Sequence, residues 1–381
     1  MNISFTLAIR NGLDMTKRAY AFIREVYPDA PFSISSGGST DGTKEWLESL
    51  DDPNLVFSHT DEDICFSENY NKAIFQAKTD KVVLIHNDMI PGKGFLEVLD
   101  KNITKDNIVT YTTIEPPVFP GHDRPGKLIR EFGRNYPNFD KEGFDREVAL
   151  IQSQPDEVVE GAAFFMSGYV STFKEIGGFD EKHFRPVFCE DDDILIRFKL
   201  AGKDLITVKH ALVYHLVSQT IRFSDDFKER TNPIEQASNV NFCRKWNTYV
   251  GVLRSLEYWK RDVNLRFRDI SYQLKNANPQ LVKLIEPFST YLYIDNQVED
   301  NFIGEMQETS TYDVKSKIKT IQEEYSDSVV VYLDGFNFNQ EVYETISKMP
   351  LYLNQEIQPG SYNINNLMVT INNITEKNYN E

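Results

Sequence analysis

The chain has 381 residues, with 41 Lys and Arg against 58 Asp and Glu for a formal net charge of -17, which argues against general attraction to nucleic acid or an anionic membrane while leaving room for a local basic groove. No run approaches the ~18 apolar residues of a membrane span, and the opening MNISFTLAIRNGLD lacks a basic leader before a long apolar stretch, so neither anchor nor signal peptide is predicted. Three scattered cysteines, Cys65, Cys189 and Cys243, show no zinc spacing, which suits buried thiols in a reducing, cytoplasmic setting.

The length permits two or three domains, or one enlarged α/β domain with an appendage. ISFTLAI (3–9) is apolar and β-branched and predicts a strand buried on both faces, ended by Arg10, Asn11 and Gly12. A helix over Met15 to Val26 follows, then a second strand, PFSISS (31–36), that runs into GGSTDGTKEWLESL. Gly37 and Gly38 permit a tight turn, Ser39 or Asp41 can cap, and Thr43 to Leu50 supplies a helix. Such a strand, glycine turn and helix gathers backbone N–H groups at the ends of parallel strands, though it equally serves as a short connection. It has neither the Lys-Ser/Thr ending of a P-loop nor the GxGxxG spacing of a dinucleotide fold.

NLVFSH (54–59) predicts a third strand and Ser67 to Lys78 a helix. KVVLIHND (81–88) is a sharply apolar strand whose end delivers His86, Asn87 and Asp88. Polar residues at that edge of a central strand are where open α/β sheets place ligands, although Asp88 could also only cap the next turn. After a further strand, IVTYTT (108–113), the segment 114–156 turns rich in Pro and Gly and carries Arg124, Lys127, Arg130 and Arg134 among aromatics. It predicts a long excursion outside the core, either meeting an acidic or phosphate-bearing acceptor or simply solvated.

Residues 158–181 predict a strand, a short helix and the glycine turn GGFDE. Next come four consecutive acids, Glu190 to Asp193, heading the amphipathic run ILIRFKLAG that closes at Gly202. A helix dipole favours one or two carboxylates at such a place. Four call for a cation, a proton-transfer task or open water. DLITVKHALVYHL (204–216) predicts two strand pieces that place His210 and His215 near the end, Val217 to Arg230 a mobile polar loop, and Asn239 to Leu274 a helical region. Beyond Asn276 the pattern predicts a helix and strand in QLVKLIEPFSTYLYI, a solvated helix over 313–325, a strand SVVVYLDG, a helix over 338–349 and a closing strand pair over 362–374. No catalytic constellation stands out there, and a small α/β appendage or a homo-oligomer surface is its expected use.

In order along the chain, TLAIRN (6–11), GGSTDGT (37–43), NYNKAI (69–74), VLIHND (83–88), GGFDE (177–181) and EDDDILIRFKLAG (190–202) resemble the motif series of a family 2 glycosyltransferase with the GT-A fold. The resemblance covers about two thirds of the chain. It implies a mixed α/β sheet flanked by helices over residues 1–255, which binds a nucleotide-sugar, with a helical extension and small α/β region over 256–381. It also implies a donor such as a UDP-hexose, a glycan or other hydroxyl acceptor, and a Mn2+ or Mg2+ ion.

By the same resemblance Ile9, Asn11, Ser36 and Gly37 would surround the base and ribose, and Asn71 would belong to the donor side. Asp88 would hold the metal, His86 and Asn87 would complete a reduced form of the DxD motif, and His215 would contact the metal or diphosphate. Where the family often has an Asp to grip the base, this chain has Ser36, which puts tight uracil selection in doubt. Asp191 would be the general base of an anomer-inverting displacement, with Glu190 orienting the acceptor, Asp193 mainly structural and Arg197 pairing with the cluster. The competing expectations are a nucleotide-sugar or glycan-binding protein with weak or no turnover, and a retaining transferase or nucleotidylyltransferase on a similar sheet.

Overall fold

The computed structural model describes residues 2–118, 124–217, 229–295, 300–322, 324–354 and 357–377. These form two compact units: Met1–Glu181 with Arg185–Asn232 and Trp259–Arg261, and Lys182–Phe184 with Pro233–Tyr258 and Asp262–Glu381. The division falls earlier than the boundary at 255 expected from sequence, because the helix Thr231–Trp246 places Cys243 in the second unit's core and Arg244 on that unit's Glu286.

The first unit alternates strands and helices: β1 (Ile3–Ile9), α1 (Leu13–Val26), β2 (Phe32–Gly37), α2 (Thr43–Glu48), β3 (Leu55–Thr60), α3 (Phe66–Phe75) and β4 (Lys81–Leu84). Each of β1, β2 and β4 is almost wholly buried, as their continuous apolar and small residues require of strands covered on both faces. The chain continues through β5 (Met89–Pro91), α4 (Phe95–Asn102), β6 (Asn107–Glu115), β7 (Lys127–Ile129), α5 (Lys141–Gln152), β8 (Val158–Glu160) and β9 (Met166–Tyr169). It ends with α6 (Val170–Glu175), α7 (Glu190–Leu200) and β10 (Asp204–His215).

The described strands form one mixed sheet in the order β3-β2-β1-β4-β9-β6-β10-β5, with β7 on β6 and β8 on β10. Strands β1 to β4 are mutually parallel, and β9 runs antiparallel between β4 and β6. Because the chain leaves β1 toward β2 on one side and later adds β4 on the other, the sheet has a topological switch point between β1 and β4. A crevice opens at such a point beyond the carboxyl ends of the strands.

Two sequence expectations for this unit need correction. The segment 114–156 is not an excursion outside the core, since Tyr136, Phe144 and Val148 pack with Ile114, Leu212 and Tyr214 into one buried cluster. Its aromatic residues give it something to bury, and Tyr214 Oη ties it down by donating to Gly133 O at 2.6 Å. The two strand pieces expected over 204–216 are a single strand, with a register irregularity between Val208 and Leu212. Most of the loop expected at Val217 to Arg230 lies outside the described residues.

The second unit contains α8 (Thr231–Trp246), α9 (Val250–Ser255), β11 (Ile270–Lys275), α10 (Pro279–Ile285), β12 (Leu292–Ile294), α11 (Asp300–Glu308), α12 (Val314–Lys317) and β13 (Ile318–Thr320). After these come β14 (Val329–Asp334), α13 (Gln340–Ser347), α14 (Met349–Tyr352), β15 (Gly360–Ile364) and β16 (Leu367–Ile371). Its described strands order as β13-β12-β11-β14-β16-β15, the first four parallel and the last two a hairpin. Asn365 and Asn366, both at positive φ, turn that hairpin, as a two-residue loop demands.

The helical region expected over 239–274 breaks after Trp246, where Asn247 adopts φ 57 and its side-chain amide donates to Phe288 O at 2.8 Å, resumes as α9 and ends at Ser255. Residues 270–275 instead pair with β12 and β14. The solvated helix expected over 313–325 is a single turn capped by Asp313, followed by β13, whose Ile318 pairs with Leu292.

A buried charge cluster underlies this second core. Glu286 is fully buried and accepts from Arg244 Nη2 at 2.9 Å and from Lys317 Nζ at 2.6 Å. Burial alone would raise its pKa, but the Lys317 and Arg244 charges hold it below the usual glutamate value. A group with a depressed folded pKa stabilises the fold above its unfolded pKa and loses that contribution as pH falls through the folded one. Glu286→Gln should therefore cost about 3–5 kcal/mol at pH 7, because two buried cations would lose their counter-charge. In urea melts of the full chain, the gap from the wild type should shrink on acidification below the unfolded glutamate pKa. A pH-independent gap, or none, would contradict this account.

Candidate active site

Two loops meet at the β1 side of the switch point. Asn11, at φ 55, donates its backbone N–H to Ser39 Oγ at 2.9 Å and accepts the Thr40 N–H on Oδ1 at 2.8 Å. Asp41 in turn accepts the Leu13 N–H at 2.8 Å. The ends of β1 and β2 are thus stitched together, and Ile9 O is held by Asn69 Nδ2 at 2.9 Å. Gly38 has φ 62, and a Cβ there would lie 3.0 Å from Asp63 Cα, so the turn admits no side chain without displacing backbone.

Ser36 is buried at the end of β2, with its hydroxyl 3.0 Å from Ser39 Oγ and 3.1 Å from His59 Nδ1 on the neighbouring strand. The sequence singled out Ser36 as an uncharged substitute for an Asp. In the fold it is one member of a Ser39, Ser36 and His59 set, and His59 also lies 3.1 Å from Asp61.

On the β4 side, the strand ends at Leu84 and the chain turns through His86, Asn87 and Asp88 before β5. This turn is pinned from several directions. Tyr70 Oη donates to Ile85 O at 2.9 Å, Tyr136 Oη donates to Asn87 O at 2.8 Å, and Leu216 N donates to Asp88 O at 2.9 Å. Asn87 directs its amide toward Thr16 Oγ1 of α1 at 3.0 Å, a fastening rather than an open ligand group.

Asp88 is buried and faces two imidazoles. His215 Nε2 lies 3.5 Å from Asp88 Oδ2, and His86 Nδ1 lies 4.0 Å from Asp88 Oδ1. One ligand atom from each of His86, Asp88 and His215 falls within 4.8 Å of the others. Two imidazole nitrogens and a carboxylate form a donor set that suits a divalent transition ion. Burial alone would lower the pKa of His215, but the Asp88 and Glu115 carboxylates outweigh it and raise it to about 9. His86 moves the other way, to about 4, as burial outweighs the attraction of Asp88.

The residue that sequence reasoning missed here is Glu115. It ends β6, and its Oε1 lies 3.0 Å from His215 Nδ1, which leaves Nε2 to face Asp88. Burial would raise the Glu115 pKa, yet His215, Arg124 and the Thr113 hydroxyl together draw it down to about 2. Arg124, read from sequence as one of a basic group either meeting an acceptor or simply solvated, is paired with Glu115 and lies over the Phe165 ring, 4.2 Å from its centroid. The signal available in the sequence was the continuation of IVTYTT into Ile114 and Glu115 as strand.

Aromatic rings line the histidines. The His86 ring centroid is 4.7 Å from that of Phe164, and the His215 centroid is 5.2 Å from that of Phe165. The Tyr70 ring packs beside this group, 5.5 Å from that of Phe164 and 6.2 Å from that of His86.

Helix α7 begins after Phe188 and Cys189, both at positive φ. Non-glycine residues in that region carry strain of about 1–2 kcal/mol each, so the surrounding structure must hold them there. The four acids divide by burial. Glu190, Asp192 and Asp193 are buried, whereas Asp191 is partly exposed. Asp193 pairs with Arg197 at 2.8 Å, and Arg197 Nη1 also donates to Ile176 O at 2.8 Å, which makes this pair a brace. Glu190 Oε2 makes no hydrogen bond among the described residues, and burial followed by the Asp191 charge pushes the Glu190 carboxyl well above its ordinary pKa.

Asn71, placed on the donor side by sequence, is occupied elsewhere. Its amide donates to Phe179 O at 2.9 Å and to Glu181 Oε1 at 2.7 Å, and its carbonyl accepts the Phe179 N–H at 2.8 Å. It fixes the GGFDE turn to α3. Gly178 there has φ 73, and a Cβ would lie 2.4 Å from Asn71 Oδ1. The structure thus brings His86, Asp88 and His215 together and groups Asn11, Ser36 and Gly37 at the neighbouring loop, while Asn71 and Asn87 act as fasteners.

Comparison with known proteins bears on this arrangement. Residues 6–167 match the family model described as Glycosyl transferase family 2. No curated protein sequence matches the chain. Among solved structures, GalNAc-T7 with UDP, GalNAc and Mn2+ is 11% identical, with 56% of this chain and 44% of that one covered and a TM-score of 0.42. The chain thus spans less than half the length of GalNAc-T7. TarS 1–349 of S. aureus in complex with UDP-GlcNAc is 13% identical over 76% of this chain and 80% of that one, with a TM-score of 0.44. The mannosyltransferase PcManGT from Pyrobaculum calidifontis in complex with GDP-Man and Mn2+ is 14% identical over 67% and 64%, with a TM-score of 0.40. The family match runs from β1 into β9, so it is most of the first unit, including the turn that carries His86 and Asp88, that is similar to glycosyl transferase family 2.

Proposed function

We propose that the protein transfers a sugar from a nucleotide-sugar donor, UDP-hexose in the favoured reading, to an acceptor hydroxyl with inversion at the anomeric carbon. The observation that carries this reading is the meeting of His86, Asp88 and His215 beyond the β4 edge of the switch point. The acceptor is a glycan or another hydroxyl compound.

The donor set tests the metal. Mg2+ prefers oxygen ligands, whereas a site with two imidazoles and one carboxylate suits Mn2+ better. His86, Asp88 and His215 would hold the ion, which offsets the negative charge left on the departing diphosphate. Glu115 keeps the Nδ1 side of His215 engaged and so orients Nε2 toward Asp88. Asn11, Ser36 and Gly37 present a rigid loop pair to the base and ribose, with Ile9 as the strand residue beneath.

Asp191 is the general base in this reading. It is the partly exposed member of the acidic run, so it can reach an acceptor hydroxyl and take its proton as that oxygen attacks the anomeric carbon. Glu190, buried and with its pKa raised by burial and the Asp191 charge, stands beside it and orients the acceptor. Proton removal and departure of the nucleoside diphosphate then occur in one displacement, which inverts the anomer.

Three outcomes follow. In calorimetry with Mn2+ and UDP, Asp88→Ala should lose the metal-dependent part of the binding, and an unchanged metal dependence would defeat the assignment. Glu115→Gln should weaken Mn2+ affinity by about 10–100-fold, as removal of an orienting partner does. Asp191→Asn should lower turnover by about 100-fold or more while UDP affinity stays within twofold of the wild type. Wild-type turnover in that variant would remove Asp191 from the role of base, and a wild-type protein that binds donor but never turns over would favour the binding-protein alternative.

A further inference from the structure

The second unit carries a crevice of about 760 Å3 at the carboxyl ends of β11 and β14, bordered on the far side by the β15–β16 hairpin. The ends of parallel strands are where open α/β sheets receive ligands. Phe336 stands in this crevice 84% exposed, a large apolar ring that the fold does not use. Isolated exposed apolar residues are ordinary. Phe338 and Tyr332 also line the crevice.

The polar lining is equally specific. Gln273 is only 8% exposed, and its Oε1 accepts the Tyr325 hydroxyl at 2.8 Å, while its amino group makes no hydrogen bond among the described residues. Gln273 thus borders the crevice as a mostly buried amide whose oxygen is already engaged. Lys275, Asp334 and Glu341 also line the crevice. Neither Lys275 nor Glu341 has a side-chain ion pair among the described residues. With two carboxylates to one ammonium the lining repels phosphate and nucleotide, yet it offers both donors and acceptors.

An aromatic face surrounded by mixed hydrogen-bonding groups without net positive charge is complementary to a pyranose. Such a ring has an apolar C–H face to stack and hydroxyls that each donate and accept. We propose that this crevice is a binding site for a neutral saccharide, with Phe336 as the stacking platform and Gln273, Lys275 and Glu341 as hydroxyl partners. This site is independent of the reading of Asp88 and Asp191, and its ligand remains chemically unchanged while bound.

The test is saturation-transfer difference NMR on the full chain with maltose, cellobiose, lactose and chitobiose as probes, UDP being present in excess to occupy the donor site, and with inorganic pyrophosphate measured separately by calorimetry. At least one disaccharide should bind, and Phe336→Ala should weaken it by about tenfold. Because Phe336 is exposed, that variant should keep the wild-type circular dichroism and melting temperature. Asp191→Asn should bind the same disaccharide as the wild type does, which separates this site from the catalytic one. Absence of binding by all four probes, equal binding by Phe336→Ala, or loss of binding in Asp191→Asn would each overturn the proposal, as would competition between pyrophosphate and the bound disaccharide.

Discussion

The arrangement of the first unit depends on a buried chain of charges from Arg124 through Glu115 and His215 to Asp88. Each member is costly to bury alone, and each is made tolerable by the next. The chain links the end of β6, the end of β10 and the turn after β4. Alternating sign also sets the state of every group: Glu115 stays ionised and His215 holds its proton to about pH 9 while no cation competes for its nitrogen. Were a divalent ion bound as proposed, His86, Asp88 and His215 would hold it and Asp88 would supply the negative charge.

This constraint explains why the surrounding elements are so heavily fastened. The turn carrying His86 and Asp88 is gripped by Tyr70, Tyr136 and Thr16, which come from α3, from the segment before α5 and from α1. A turn that presents a carboxylate to two imidazoles must hold its backbone against their pull, and hydrogen bonds from three elements supply that rigidity. The acidic helix is braced in another way, by the Asp193 pair with Arg197, which in turn holds the end of α6 through Ile176 O. Asp193 is paired with Arg197, and burial together with the Asp191 charge raises the Glu190 pKa, so the four acids do not stand as four equivalent free carboxylates.

Much of this was legible in the sequence, and the reasons differ by element. Strands β1, β2 and β4 announced themselves because strands covered on both faces must be apolar throughout. Asp88 and His215 were legible as strand-end polar residues in a fixed motif order. Glu115 was not, because its partners lie far away in sequence, and one carboxylate after a strand looks like any surface residue. The partner of Arg124 was illegible for the same reason, since a basic residue in a Pro- and Gly-rich segment gives no sign that a buried glutamate awaits it. The helical region expected over 239–274 is broken where Asn247 takes a left-handed conformation, a local event that apolar periodicity does not report, and gives way to strand at Ile270.

The stitched loops at the ends of β1 and β2 have a thermodynamic consequence for recognition. With Asn11, Ser39, Thr40, Leu13 and Asp41 already joined by hydrogen bonds, these loops lose little conformational freedom when a ligand arrives. Their entropy was surrendered during folding. A ligand that fits their fixed shape keeps nearly all of its contact energy, whereas a misshapen one cannot recruit loop movement to improve its fit. On the proposed reading, selection of a donor by this edge of the sheet would rest on fit to a fixed shape rather than on loop rearrangement.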